Sequence, residues 1–268
     1  MSHARREHAD YRIIGCCMAA AFGFCRRMSY NQKEQGFWLS RHPDERKGNG
    51  LLRKDYLLSM MEELTSAVAT VLGLRRENKH IEALKQLDDL LNKQFRLRSD
   101  LLRRLPPEQI IELFRLGPGI EADKLQQVAR ILEEEAVIFL ETDRTDEGIR
   151  ILMKSLHLYL YSDSNGAARE LQTLPERIAC IVNLVREYEL PPETSRLLAA
   201  YYEREDRLDE AADVWFGLAW EQPELLSEAK SFYSELLDKT NAELERGGIS
   251  RQEVTEGLAE ITQLHERK

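Results

Sequence analysis

Between Ser195 and Pro223 the chain reads SRLLAAYYEREDRLDEAADVWFGLAWEQP. Small or apolar residues stand at Ala199, Tyr202, Ala211, Trp215 and Leu218, where two antiparallel helices would touch. The polar stretch from Glu203 to Glu210 leaves no room for a strand between them, and Pro223 closes the second helix. A helical hairpin satisfies this pattern, and a sheet does not.

The rest of the body follows the same period. Leu57, Leu58, Met60, Met61, Leu64, Val68, Val71 and Leu72 mark one long amphipathic helix with Gly73 near its end. Ile81, Leu84, Leu87, Leu90 and Leu91 mark a second. Pro106-Pro107-Glu108 opens a short helix, and Gly117-Pro118-Gly119 reads as its break. Leu125 to Leu140 and Ile149 to Tyr161 form two long helices joined by the charged turn 143–148. Further helices are expected at 174–188, from Leu225 to Leu237, and after Gly247-Gly248 around Val254, Leu258 and Ile261. No strand-period segment is found.

Three turns share one signature. Ala83, Gly148 and Ala211 each follow a glutamate: Glu82, Glu147 and Glu210. A small residue there lets two helices approach closely. Twelve residues upstream stand Val71, Ala136 and Ala199; four residues downstream stand Leu87, Leu152 and Trp215. The spacings of 65 and 63 residues are close to twice the roughly 34-residue tetratricopeptide period.

On these residues the segment 195–223 resembles a tetratricopeptide unit, with looser copies at 65–95 and 130–160. The resemblance implies an all-α fold of stacked antiparallel helical hairpins in a right-handed array. It also implies protein binding in preference to catalysis. The short helices at 106–115 and 174–188 depart from the pattern. Separately, the opening Arg53-Lys54-Asp55-Tyr56-Leu57-Leu58-Ser59-Met60-Met61-Glu62 is similar to the start of an uncharacterised family from spore-forming Gram-positive bacteria. That likeness runs over roughly 51–160 and implies a bacterial, cytoplasmic setting with no assigned activity.

The net charge of −9 is uneven: residues 1–50 carry +4 and the remainder −13. An acidic body repels phosphates and anionic lipid, so neither nucleic acid nor membrane is an expected partner. The apolar run Ile13–Cys25 is too short to span a bilayer and lacks a convincing cleavage region. Residues 1–50 are therefore read as an unstructured tail or a non-native extension upstream of a start at Leu51 or Leu52. The body divides into 51–165 and 166–268. Cys16, Cys17 and Cys25 lie in the extension without metal-binding spacing, and Cys180 is expected as a small buried hydrophobe in a reducing compartment.

No catalytic, cofactor or metal motif is found. Glu133-Glu134-Glu135 with Glu141 and Asp143 is the densest carboxylate group, and it reads as a solvated acidic face, with no Glu-x-x-His inside the segment. His157 reads as a packed, hydrogen-bonded side chain. Trp215 takes the repeat's core position, whereas Trp220 points elsewhere and is a candidate anchor.

The tetratricopeptide resemblance places a peptide groove on the first helix of each hairpin. Carried over, it gives Thr65, Val68, Leu72 and Arg75, then Arg130, Glu133, Val137 and Leu140, then Glu193, Arg196, Ala200 and Glu203, of which Val68, Leu72, Arg75, Arg130, Val137, Leu140 and Arg196 are the binding candidates. The expected function is binding of a partner peptide or helix. Self-association through the 51–72 helix is the alternative, followed by carboxylate-based metal binding or catalysis.

Overall fold

The computed structural model describes residues 49–169 and 173–266, with side chains described for 58–169 and 173–263. The expectations for residues 1–48 lie outside the described residues. The fold is all-α. Helix α1 (Asn49–Arg76) and α2 (His80–Phe95) form the first hairpin, and α5 (Ala122–Glu141) and α6 (Thr145–Ser164) the second. The third pairs α8 (Pro192–Arg204) with α9 (Leu208–Glu221).

Short elements separate the hairpins: α3 (Ser99–Arg104), α4 (Pro107–Glu112) and α7 (Leu174–Val185). After a single 3-10 turn at Pro223–Leu225 come α10 (Leu226–Asp238), α11 (Asn241–Arg246) and α12 (Arg251–Glu266). Gly117-Pro118-Gly119 is more than a helix break. It turns a minimal β-hairpin of Arg115–Leu116 and Gly119–Ile120, the one sheet among the described residues. The left-handed Gly117 makes that turn possible without strain. Helix α3 was not anticipated, because six residues are too few to show a period.

The three hairpins turn in the same way. Each first helix ends at a left-handed residue: Asn78, Asp143 or Asp206, with φ of 58°, 59° and 57°. Asn and Asp are the non-glycine residues best suited to that conformation. The next residue is always basic, and its N–H bonds back to the carbonyl five residues earlier. The pairs are Lys79 to Leu74, Arg144 to Phe139 and Arg207 to Tyr202, each at 2.9 Å. This closes the Schellman pattern and satisfies carbonyls that the helix end would leave open. Both arginines also lie over the ring they bond behind: Arg144 is 4.1 Å from the Phe139 centroid and Arg207 4.6 Å from that of Tyr202. Both pair with the glutamate three residues on, Glu147 and Glu210.

The small residues follow five positions after the left-handed one. Ala83, Gly148 and Ala211 are all buried, as are Val71, Ala136 and Ala199 upstream and Leu87, Leu152 and Trp215 downstream. A Cβ on Gly148 would stand 2.7 Å from Leu140 Cδ2 and 3.0 Å from the Ala136 carbonyl oxygen. The central hairpin is therefore closed tightly enough to require glycine.

Helix α5 sits at the centre. It packs against α6, α2 and α1, and α6 in turn packs against α7 and α8. From Leu125 to Phe139 every residue of α5 is buried. A single apolar cluster runs from Leu64 in α1 to Ile261 in α12.

Candidate functional site: a buried charge network on the central helix

A helix buried on all sides must hide its polar residues as well as its apolar ones. In α5 those are Gln126, Gln127, Arg130, Glu133, Glu134 and Glu135. The first five fall at i, i+1, i+4, i+7 and i+8, one polar stripe along the helix. Burying such groups is costly unless each ion meets an opposite charge.

The central carboxylate is Glu134. It receives Arg75 Nη1 from the end of α1 at 3.0 Å and pairs with Arg130 one turn back. Burial pushes its carboxyl up, but Arg130, Arg75 and Arg177 outweigh that and hold it below its ordinary value. Arg75 closes a second fork on Glu141, with Nε to Oε2 at 2.9 Å and Nη2 to Oε1 at 2.6 Å. Such bidentate geometry is what guanidinium offers and ammonium does not.

Glu133 is the next node. Tyr159 Oη of α6 donates to its Oε2 at 2.8 Å, and Arg177 Nη1 of α7 donates to Oε1 and Oε2 at 3.0 and 3.2 Å. Burial and the Glu133 charge raise the Tyr159 hydroxyl well above its usual range. Four helices, α1, α5, α6 and α7, are thus joined by ion pairs and one tyrosine hydrogen bond that form only in the folded state.

Glu135 faces a different way. It pairs with Arg103 of α3, and burial pushes its carboxyl up to about 6 even with that partner. Lys154 of α6 donates to the carbonyls of Leu102, Arg103 and Leu105 at 2.8, 2.8 and 2.6 Å, capping the C-terminal end of α3. The N-terminal end is capped from α2, where Asp88 Oδ1 accepts the Ser99 N–H at 2.7 Å.

These findings correct the reading of Glu133-Glu134-Glu135 as a solvated acidic face. All three are buried, with arginines on every carboxylate. Among the described residues no group of three His, Cys, Asp or Glu is placed to share a metal ion. The clue available in the chain is Arg130 followed three and four residues later by Glu133 and Glu134. The remote arginines Arg75, Arg103 and Arg177 carry no local signal.

The groove residues scatter. Arg75, Arg130 and Val137 are buried; the first two meet on Glu134 and form no open surface. Leu140 packs over Gly148, and Val68 leans on the core from α1. Leu72 is half-buried outside the core cluster. Arg196 is partly exposed and bonds Glu228 at 2.8 Å and Glu193 at 3.2 Å. Trp220 is 62% exposed, whereas Trp215 is buried and donates its ring N–H to Glu203 at 2.8 Å. His157 is buried, with Nδ1 3.0 Å from Thr194 Oγ1. Burial lowers its pKa. Cys180 is half-buried on α7, short of the full burial expected of it.

Among the described residues no helix is long and apolar enough to cross a membrane. No curated protein and no solved structure matches the chain. A family profile matches residues 51–266, well past the 160 at which the sequence likeness ended. The chain belongs to that family, described as a family of unknown function (DUF6483).

Proposed function

We propose that this protein is a protein-interaction module of helical-repeat type that binds a partner peptide or helix. The observation that carries the proposal is the threefold turn: left-handed Asn or Asp, a basic residue, then glutamate and a small residue, in three successive hairpins. Repeated hairpins stack into extended surfaces, and such surfaces serve recognition. A tetratricopeptide-like array is part of this proposal. The carboxylates of the centre are each paired with an arginine, so chemistry on a small substrate has less support there.

The binding residues we assign are the half-buried Leu72 on α1, with Val68 one turn before it, Arg196 on α8 and Trp220 on α9. Leu72 is apolar and outside the core cluster, and Trp220 is an exposed aromatic of the kind that anchors interfaces. Affinity capture from the native host with wild type and with Leu72→Glu/Trp220→Ala tests this. The wild type should retain a partner that the folded double variant loses. Identical capture by both would remove the assignment.

Self-association is the second reading. Helix α1 has 28 residues against 16 in α2, and Leu58 on its N-terminal part is half-exposed. Light scattering at several concentrations separates a dimer from a monomer. A cytoplasmic location is proposed from the family resemblance.

A further inference from the structure

Helix α3 is held in an unusual manner. Of its six residues only Ser99 and Leu102 are buried. Its ends and its one strong charge contact are fixed by side chains from three other helices: Asp88 of α2, Glu135 of α5 and Lys154 of α6. It is bounded by the left-handed Arg96 that caps α2 on one side and by Pro106-Pro107 on the other.

The fit is also incomplete. Arg103 reaches Glu135 Oε1 with one nitrogen, and Glu135 Oε2 is buried without a hydrogen-bond partner. The Ser99 hydroxyl is likewise buried and unpartnered. A buried carboxylate with one oxygen unsatisfied is a poor final state, and a guanidinium gripping both oxygens would improve it.

We infer that α3 is a built-in occupant of a recognition seat formed by Asp88, Glu135 and Lys154, displaced when a partner helix presents its C-terminal turn there. The fitting partner has an adjacent leucine and arginine in the register of Leu102 and Arg103. Its arginine forks onto Glu135, its leucine replaces Leu102, and its last carbonyls take the Lys154 ammonium. A helix C-terminus is what Lys154 already caps, so the seat selects that end by charge and geometry. The high carboxyl of Glu135 agrees with a site whose present partner under-stabilises the anion. This inference rests on the interaction-module reading and names a second surface for it.

The test uses hydrogen exchange and a synthetic peptide with the sequence of residues 96–107, RLRSDLLRRLPP. In the full chain, amides of 100–105 should exchange at least tenfold faster than those of α5. Arg103→Ala should raise that exchange further while leaving segments outside 96–107 unchanged. The peptide should bind Arg103→Ala at least tenfold more tightly than wild type, and adding Glu135→Gln should abolish the gain. Protection of 100–105 equal to that of α5 overturns the inference. So does peptide binding indifferent to Arg103→Ala or to Glu135→Gln. Such a failure leaves the Leu72 and Trp220 surface untouched, because the capture experiment reads it with α3 unaltered.

Discussion

The central hairpin α5–α6 and the C-terminal hairpin α8–α9 turn on the same geometry and are filled by opposite chemistry. Both carry a left-handed Asp, a basic residue stacked on a ring, a glutamate and a buried small residue. The C-terminal hairpin then closes with aromatics: Tyr201 against Tyr202, and Trp215 against Phe232 of α10, which in turn meets Tyr233 edge-on. The central hairpin closes with Glu133, Glu134, Arg130 and Tyr159 under an apolar frame. The turn thus specifies that two helices pair, whereas the interior specifies which neighbours they accept. Aromatic packing tolerates small shifts; an ion network requires each partner in place.

The largest expected effect breaks the central network. Glu134→Ala leaves Arg75 and Arg130 buried without their shared anion and should cost about 3–5 kcal/mol. The matching change of Arg75, Arg130 and Glu134 together to apolar residues of similar size should cost far less. Denaturant unfolding of both variants reads the difference. If Glu134→Ala unfolds at the wild-type midpoint, the network is not what orders the centre.

The shared turn comes next. Gly148→Ala drives a Cβ into Leu140 and the Ala136 carbonyl, and Ala211→Leu overpacks the equivalent site in the C-terminal hairpin. Each should cost about 1–3 kcal/mol. Equal losses would mark the turn as the common element. An unchanged melting temperature for either would dissolve the alignment of the two hairpins.

A smaller effect is a pH slope contributed by the centre. The Glu135 carboxyl is raised from 4.5 to about 6, so the folded state binds its proton more tightly than the unfolded chain does. Stability from this group is therefore fully present below pH 4.5 and is lost as pH rises through 6. The span is about 2 kcal/mol at most. Glu135→Gln should flatten that portion of the stability curve. A variant retaining the full slope would assign it elsewhere.

The smallest change belongs to the C-terminal hairpin. Trp215→Phe keeps most of the ring contact with Phe232 and removes the N–H bond to Glu203. A loss of about 1 kcal/mol is expected in thermal melts. A loss as large as that of Glu134→Ala would mean that both hairpins depend on polar contacts to the same degree.

The helices were legible because their cause is local. Apolar spacing near 3.6 residues, prolines at first turns and small residues at close approaches all act within one or two turns. Even the turn residues that were overlooked, Asn78, Asp143 and Asp206 with the base after each, stand in the chain at fixed distances from Ala83, Gly148 and Ala211. They went unread because a left-handed residue is recognised by its dihedral angles and not by its type. Helix α3 and the β-hairpin at 115–120 were missed for a related reason: both are shorter than any period.

Local patterns in the chain specify an all-α body whose hairpins close at Ala83, Gly148 and Ala211. Tertiary structure decided which charges are inside. Glu133, Glu134 and Glu135 look like any solvated run until Arg75, Arg103 and Arg177 arrive from 59, 32 and 44 residues away. The physical reason is that a carboxylate's position depends on whether an opposite charge repays its lost hydration. That partner comes from a different helix, at a sequence distance that no local pattern records.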